Sequence, residues 1–182
     1  MGYSTDFLGT LNLNKKLTKE DSKFLQGLNA TRRMKRNLEG YGVDGEFFVE
    51  KLNDFGQENT PDVVDHNSPP STQPSLWCNW IPTLDGMGLE WDSGEKAYNM
   101  EDWVVYLINR YLEPRGYVVN GEVEAQGEER GDNWTIRVVD NVVKVCHDSF
   151  VRKNGKFTEV KYNKAPKITL PKKAKKHSPK KK

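Results

Sequence analysis

The order of apolar and polar residues predicts a strand near the start of the chain. In residues 3–13, Phe7, Leu11 and Leu13 stand at odd-numbered positions. Successive side chains of a strand point to opposite faces, so these three share one face. Residues 46–49 form a second, shorter apolar run and predict another strand.

A helix is predicted from Thr18 to about residue 37. Thr18 can accept a hydrogen bond from a free backbone N–H of the first turn, and Asp21 suits the positive end of the helix dipole. The apolar stripe of this helix consists of Phe24, Leu25, Leu28 and Met34. The same helix would carry the basic residues Arg32, Arg33, Lys35 and Arg36.

The centre of the chain predicts a β-hairpin and then a second helix. Residues 76–81 and 89–92 have strand character and are joined through an Asp85-Gly86 turn. Asn99, with Asp102 three residues later, is typical of a capped helix start. Pro114 and Gly116 end this helix. Its apolar face comprises Trp103, Val104, Leu107, Ile108, Tyr111 and Leu112.

Alternating strands are predicted again in residues 117–125, 134–139 and 142–146. The pair Asn120-Gly121 allows either a tight hairpin or one long strand with a glycine bulge. Asp140-Asn141 joins the last two strands as a hairpin. Antiparallel strands with two helices indicate one α+β domain, in which the helices pack on one face of a mostly antiparallel sheet.

The pattern divides the chain into three parts. Residues 1–150 form the predicted domain, and within it residues 53–75 hold four prolines among polar residues and predict a long irregular loop. Residues 151–163 are a connecting segment. Residues 164–182, the lysine segment, have no apolar periodicity and are expected to be disordered because they cannot bury an apolar face.

Charge is strongly separated along the 182 residues, although the formal net charge is only +2. Residues 152–182 hold 13 basic residues and one acid, a net charge of +12. Residues 1–151 hold 15 basic and 25 acidic residues, a net charge of −10. Such asymmetry indicates nucleic acid or another electrostatic partner.

Lysines near the end of the sequence are the predicted nucleic-acid contacts. They can neutralise phosphates and release counterions, which gives salt-sensitive attachment to DNA or RNA regardless of base sequence. Residues 178–181 resemble the minor-groove-binding repeat of linker-histone tails, and residues 172–176 resemble a nuclear import signal. The alternative is a solubilising segment. The predicted contacts are Lys172, Lys173, Lys175, Lys176, Lys180, Lys181 and Lys182.

Acidic residues are dense around the central hairpin and the second helix. Three interpretations stay open: a solvated face, an array that mimics DNA phosphates, and a site for a hard cation such as magnesium. No Asp-x-Asp or His-x-x-His spacing supports the last of these, and no metal ligand is predicted. The residues are Glu90, Asp92, Glu95, Glu101, Asp102, Glu122 and Glu124.

Aromatic residues in the hairpin suggest a ligand surface. Trp77 and Trp80 are three residues apart, so a regular strand places them on opposite faces and one ring becomes a candidate for stacking on a ligand. The competing interpretation is that both rings belong to the core. The ligand-binding residues predicted on this basis are Trp77, Trp80, Glu90, Trp91, Asp92 and Glu95.

No catalytic residue and no cofactor is predicted. Cys78 and Cys146 lack a CxxC spacing and are expected to be two buried free thiols, with a single disulfide as the alternative. Cys146 and His147 are neighbours whose side chains diverge in a strand, which is poor geometry for a nucleophile and its base. Phosphate-loop, dinucleotide and serine-hydrolase motifs do not occur.

Several short motifs together resemble a family of small uncharacterised proteins of bacteria and their phages. The resemblance spans roughly residues 2–145 and implies no activity, and the lysine segment lies outside it. The motifs lie at residues 2–3, 5–6, 31–34, 76–78 with 80, 90–92, 94–96, 116–117, 120–123 and 126–128.

These features favour a non-enzymatic binding protein, an acidic domain tethered to nucleic acid or a nucleic-acid-bound assembly by the lysine segment. The domain would contact a protein or small ligand through the central hairpin and residues 53–75. One alternative is a ligand-sequestering protein or small enzyme with an acidic, aromatic pocket. Another is an acidic inhibitor that mimics DNA, of phage or viral origin.

The sequence also predicts the cellular location of the protein. No segment of about 20 apolar residues is present to cross a membrane, and neither a secretory signal nor a myristoylation pattern is recognised. We expect a soluble intracellular protein without a membrane partner, cytoplasmic or nucleoid-associated, and nuclear in a eukaryotic host.

Overall fold

The computed structural model describes residues 2–50 and 57–147. These residues contain eight strands and two α-helices. The first half contains β1 (Thr5–Leu13), α1 (Lys19–Ala30), β2 (Lys35–Arg36), β3 (Val63–Asp65) and β4 (Trp80–Pro82). The second half contains β5 (Gly88–Trp91), α2 (Met100–Leu107), β6 (Val119–Gly127), β7 (Asn133–Val139) and β8 (Val142–His147). Within these residues, no helix has the length and apolar character needed to cross a membrane.

Six of the strands form one antiparallel sheet in the order β4-β5-β1-β6-β7-β8. Strands β2 and β3 form a separate antiparallel pair. This architecture confirms the predicted α+β class with a mostly antiparallel sheet and two helices. The predicted central hairpin is the pair β4-β5, and the predicted hairpin at Asp140-Asn141 is the pair β7-β8.

The core lies between the two helices and one face of the six-stranded sheet, here called the inner face. Alternate residues of β1, β6 and β7 point into it, among them Phe7, Leu11, Val123 and Ile136. The helices contribute Leu25, Leu28, Trp103, Val104 and Leu107. The predicted face of the second helix is buried throughout, and the helix continues as a π-helical turn, Ile108–Leu112.

Strands β1 and β6 run side by side over nine residue pairs, so the predicted alternatives at Asn120-Gly121 are settled in favour of one continuous strand. The pairing of β6 with β1 shows no bulge at Gly121. Gly9 of β1 has φ +130°, and a Cβ at that position would overlap the Glu122 carbonyl oxygen. This close approach requires glycine.

The prediction that the first helix reaches residue 37 is wrong. Thr18 caps α1 as expected, accepting a hydrogen bond from Asp21 N at 3.0 Å, but the helix ends at Ala30. Beyond it the backbone N–H of Arg33 donates to Leu76 O and that of Lys35 donates to Ser68 O. These contacts draw the chain into an extended conformation, and Met34 is buried outside the helix.

One other local prediction is also wrong, and another is only partly right. Residues 46–49 are not a strand, because the 3-10 turn Val43–Gly45 precedes them and the backbone N–H of Phe48 donates to Gly45 O. Asn99 is the N-cap residue of α2 as predicted, but its side chain accepts no hydrogen bond from the first turn. It has a left-handed backbone, and its side-chain amide donates to Pro74 O at 3.1 Å.

The predicted irregular loop is described from residue 57 onward, and most of it lies outside helices and strands. It contains β3, which the sequence did not predict, and it buries Gln73. The loop therefore contributes to the packed domain rather than only connecting two parts of it.

Candidate binding groove on the outer face of the sheet

The face of the sheet that points away from the helices, here called the outer face, is largely open. Leu8 on β1 is 75% exposed, which shows that no described segment covers the middle of this face. Glu122 and Glu124 on β6 and Arg137 on β7 are exposed beside it. The alternation that buries Val123 and Ala125 therefore places their acidic neighbours in solvent.

A groove of about 540 Å³ lies on this outer face, where the β4-β5 hairpin meets β1. Its lining combines polar side chains with apolar ones from the hairpin turn. The lining residues are Thr10, Asn12, Thr83, Leu84, Asp85, Met87, Gly88 and Glu90.

The close approach of two strands forms the floor of the groove. Gly88 of β5 pairs with Asn12 of β1, and a Cβ at Gly88 would lie 2.7 Å from Thr10 Cγ2 and 2.9 Å from Leu11 O. Any larger residue would push the two strands apart. Glycine at this position therefore maintains the groove as well as the pairing.

Hydrogen bonds within the turn hold the wall of the groove. Thr83 Oγ1 donates to Asp85 Oδ1 at 2.6 Å, and the backbone N–H of Met87 donates to the same oxygen at 2.9 Å. These two donors hold the pKa of Asp85 below its usual range. The turn therefore keeps a carboxylate beside Leu84, which is completely exposed, and Met87, which is 39% exposed.

Three outer-face carboxylates have no ion-pair or side-chain hydrogen-bond partner among the described residues: Asp6, Glu90 and Glu124. In contrast, Glu122 accepts a hydrogen bond from Arg137 Nε at 2.6 Å. Asp6, Glu90 and Glu124 therefore carry negative charge that no described side chain pairs with, whereas Asp85 lies near the side chain of Lys16.

The predicted ligand-binding residues do not line one pocket. Trp80 is 1% exposed, and its indole N–H donates to Met100 O at 3.0 Å, so its ring belongs to the core. Trp91 pairs with Trp80 across the strands and packs edge-on against Phe7 on the inner face. Glu90 stands on the opposite side of the same strand and is the only predicted member that lines the groove.

The other three predicted ligand-binding residues lie elsewhere. Trp77 is partly buried and precedes β4, which is shorter than predicted, and Glu95 is exposed beyond β5. Asp92 accepts hydrogen bonds from the side-chain amide of Asn29 at 2.6 Å and from the backbone N–H of Gly94 at 2.8 Å. Those bonds fix the loop after β5, which gives Asp92 a structural role.

A polar network around Glu46 is buried in the domain. Glu46, 1% exposed, forms an ion pair with Arg110, and its carboxylate also accepts a hydrogen bond from Tyr106 Oη at 3.1 Å. Gln73 Nε2 donates to Tyr106 Oη at 2.9 Å. Arg33 Nη2 donates to Glu46 O at 2.8 Å, and burial lowers the pKa of Arg33 to about 10. With every member buried, this network joins the loop to α2 and offers no surface to a ligand.

The predicted basic cluster also serves the fold. Arg33 and Arg36 are buried, and Arg36 pairs with Asp62 at 2.7 Å. Arg32 Nε donates to His66 O at 3.3 Å, and Lys35 lies 3.9 Å from Asp44. These residues therefore do not form a basic patch for phosphates.

The described part of the chain contains no candidate metal site and no disulfide. No group of three or more His, Cys, Asp or Glu side chains is placed to hold a metal ion there, and the acidic residues of the hairpin and α2 do not converge. Cys78 and Cys146 are free thiols. Cys78 is buried as predicted, whereas Cys146 is partly exposed on β8.

The lysine segment, with its seven predicted nucleic-acid contacts, lies outside the described residues. Comparisons with protein-family models, with curated proteins and with solved structures find no match to this chain. The resemblance to small bacterial and phage proteins accordingly stays a prediction.

Most groove residues were missed by sequence reasoning. Leu84 and Met87 flank the Asp85-Gly86 turn, and two apolar residues at a turn were the available signal for an exposed contact surface. Thr10 and Asn12 carried no such signal, because they join the groove only through the pairing of β1 with β5.

Proposed function

We propose that this is a non-enzymatic binding protein that attaches to nucleic acid through its lysine segment, while the folded domain presents the outer-face groove as a second binding surface. The observation that carries the proposal is the distribution of charge between the folded domain and the lysine segment.

The described domain is acidic and uses much of its basic charge internally. Its residues include 23 acids and 14 bases. Arg33, Arg36 and Arg110 are buried, and Arg115 lies 3.3 Å from Asp21 while stacking on Tyr111. Such a domain repels a polyanion at long range. Attachment to nucleic acid therefore falls to the lysine segment, which holds nine lysines and no acid.

Binding of this kind has a measurable salt dependence. Up to seven phosphate contacts would give a slope of log affinity against log salt concentration of about −6 on duplex DNA, and a smaller slope where fewer lysines engage. Base sequence should matter little because lysine contacts to phosphate carry no sequence information.

The test compares three full-length proteins on two unrelated labelled DNA duplexes, measured by fluorescence anisotropy at several salt concentrations. One protein is unchanged, one has the seven lysines of residues 172–182 replaced by glutamine, and one has them replaced by arginine. The glutamine protein should lose most of its affinity and its salt dependence. The arginine protein should retain both, because it keeps the charge.

Equal DNA affinity of the glutamine protein and the unchanged protein would refute the proposed function. Tryptophan fluorescence of all three proteins should be the same, because the substitutions lie outside the domain that contains the five tryptophans. That measurement separates loss of binding from loss of folding.

A further inference from the structure

The outer-face groove combines features that suit a lysine side chain. Exposed Leu84 and Met87 offer apolar surface for the aliphatic stem, and Asp85 and Glu90 offer carboxylates for the ammonium group. A lysine side chain can pack its aliphatic stem on apolar surface while its ammonium group contacts polar or charged groups.

The surface beyond the groove continues the same charge pattern. Glu124 on β6 and Asp6 on β1 are free of ion-pair partners among the described residues, and both lie on the outer face near exposed Leu8. An extended basic segment crossing β1 and β6 would meet carboxylates on both strands.

The lysine segment of the same chain can reach this surface. The edge strand β8 ends at His147, and 16 residues separate it from the start of the lysine segment at residue 164. Four strand spacings of about 4.8 Å separate β8 from β5, roughly 19 Å in all. Sixteen extended residues span up to about 50 Å.

We propose that the outer face, centred on the groove, binds the lysine segment of its own chain, and that nucleic acid displaces this segment and frees the groove. The inference rests on the proposed function for its second step. Because the two parts share one chain, their effective concentration is of millimolar order, so weak individual contacts suffice. The contact should weaken with salt because it is exposed.

Zero-length carbodiimide cross-linking of the full-length protein tests the contact without nucleic acid. The reagent joins a lysine to a carboxylate only when the two touch. Mass spectrometry should find residues 172–182 joined within one chain to Asp6, Asp85, Glu90 or Glu124, and addition of duplex DNA should remove these links. Three exposed acids away from the outer face serve as internal controls: Glu39, Glu58 and Glu113.

A mixture of ¹⁴N- and ¹⁵N-labelled protein distinguishes links within one chain from links between chains. Links spread evenly over both sets of acids, links only between chains, or no links at all would each overturn the inference. The first outcome indicates nonspecific contact, and the second indicates that a second copy occupies the face.

Matched charge variants provide a second measurement on DNA. Asp6→Asn, Glu90→Gln and Glu124→Gln together should tighten DNA binding at low salt by roughly three- to tenfold relative to Glu39→Gln, Glu58→Gln and Glu113→Gln, since only the first set releases the lysine segment. Equal affinities of the two triple variants would contradict the inference. Loss of DNA binding by the lysine-to-glutamine protein tests the proposed function separately, because the cross-links do not depend on DNA.

Discussion

Replacement of Glu46 tests whether the buried polar network holds the loop to α2. The Glu46 carboxylate is the negative centre of the buried network and is contacted by Arg110, Tyr106 and Thr72. Replacement by glutamine keeps the shape of the side chain but removes its charge. The guanidinium of Arg110 would then remain buried, 7% exposed, without an anion.

The expected cost is about 3 kcal/mol of unfolding free energy. Removing one partner of a buried ion pair costs about 3–5 kcal/mol because the other charge stays desolvated, and glutamine retains one acceptor oxygen, which favours the lower end. With an unfolding slope of about 2 kcal/mol per molar urea, the midpoint should fall by about 1.5 M.

Urea unfolding followed by tryptophan fluorescence measures this change, with Glu122→Gln as the matched control. Glu122 and Arg137 also form an ion pair, but their side chains are 55% and 44% exposed. Loss of an exposed pair should cost less than about 1 kcal/mol. Equal losses for Glu46→Gln and Glu122→Gln, with unchanged slopes, would refute the idea that the buried network holds the loop to α2.

Three further predictions concern pH, thiol reactivity and strand packing. Burial alone would raise the pKa of Asp21, but hydrogen bonds from Tyr117, Thr18 and Tyr111 outweigh it and lower the pKa below its usual value. This lowered pKa stabilises the fold above about pH 4, so the stability gap between the unchanged protein and Asp21→Asn should close in urea titrations as the pH falls below 4. Burial raises the pKa of Cys78 to about 12, so a thiol reagent at pH 8 should modify partly exposed Cys146 in the native protein and reach Cys78 only after unfolding; mass spectrometry that finds both modified at equal rates would contradict this. Gly9→Ala should destabilise the protein by about 1–3 kcal/mol more than Gly131→Ala, which also has positive φ but has open space around it, and equal urea midpoints would count against the proposed close approach at Gly9.

Local periodicity predicted the parts of the fold that depend on local patterns. The alternation around Phe7 and Leu11 identified β1, and the stripe through Trp103 and Leu107 identified the buried face of α2. Asp140 and Asn141 both adopt positive φ in the turn between β7 and β8, a conformation that Asp and Asn tolerate. In each case, the sequence pattern that predicts the element lies within the residues that form it.

The end of α1 could not be predicted in this way because distant residues determine it. Met34 was the only apolar residue that extended the predicted stripe beyond Ala30, and hydrogen bonds to Leu76 and Ser68 hold this segment in an extended conformation. The groove could not be predicted for the same reason, because β1 and the β4-β5 hairpin meet only in the folded sheet. Contacts between elements that are remote in sequence therefore determine both the end of α1 and the position of the groove.

The early end of α1 also changes the functional interpretation of the basic residues. In a longer helix, Arg32, Arg33, Lys35 and Arg36 would have been a basic cluster available to phosphates. In the structure, Arg33 and Arg36 are buried and donate hydrogen bonds to Gln73 and Asp62 of the loop, so these two residues stabilise the fold. The domain is left with an excess of exposed carboxylates on its outer face. If the proposed function holds, a polyanion and that face compete for the same lysines, and the affinity of the lysine segment for nucleic acid then depends on the charge of the outer face.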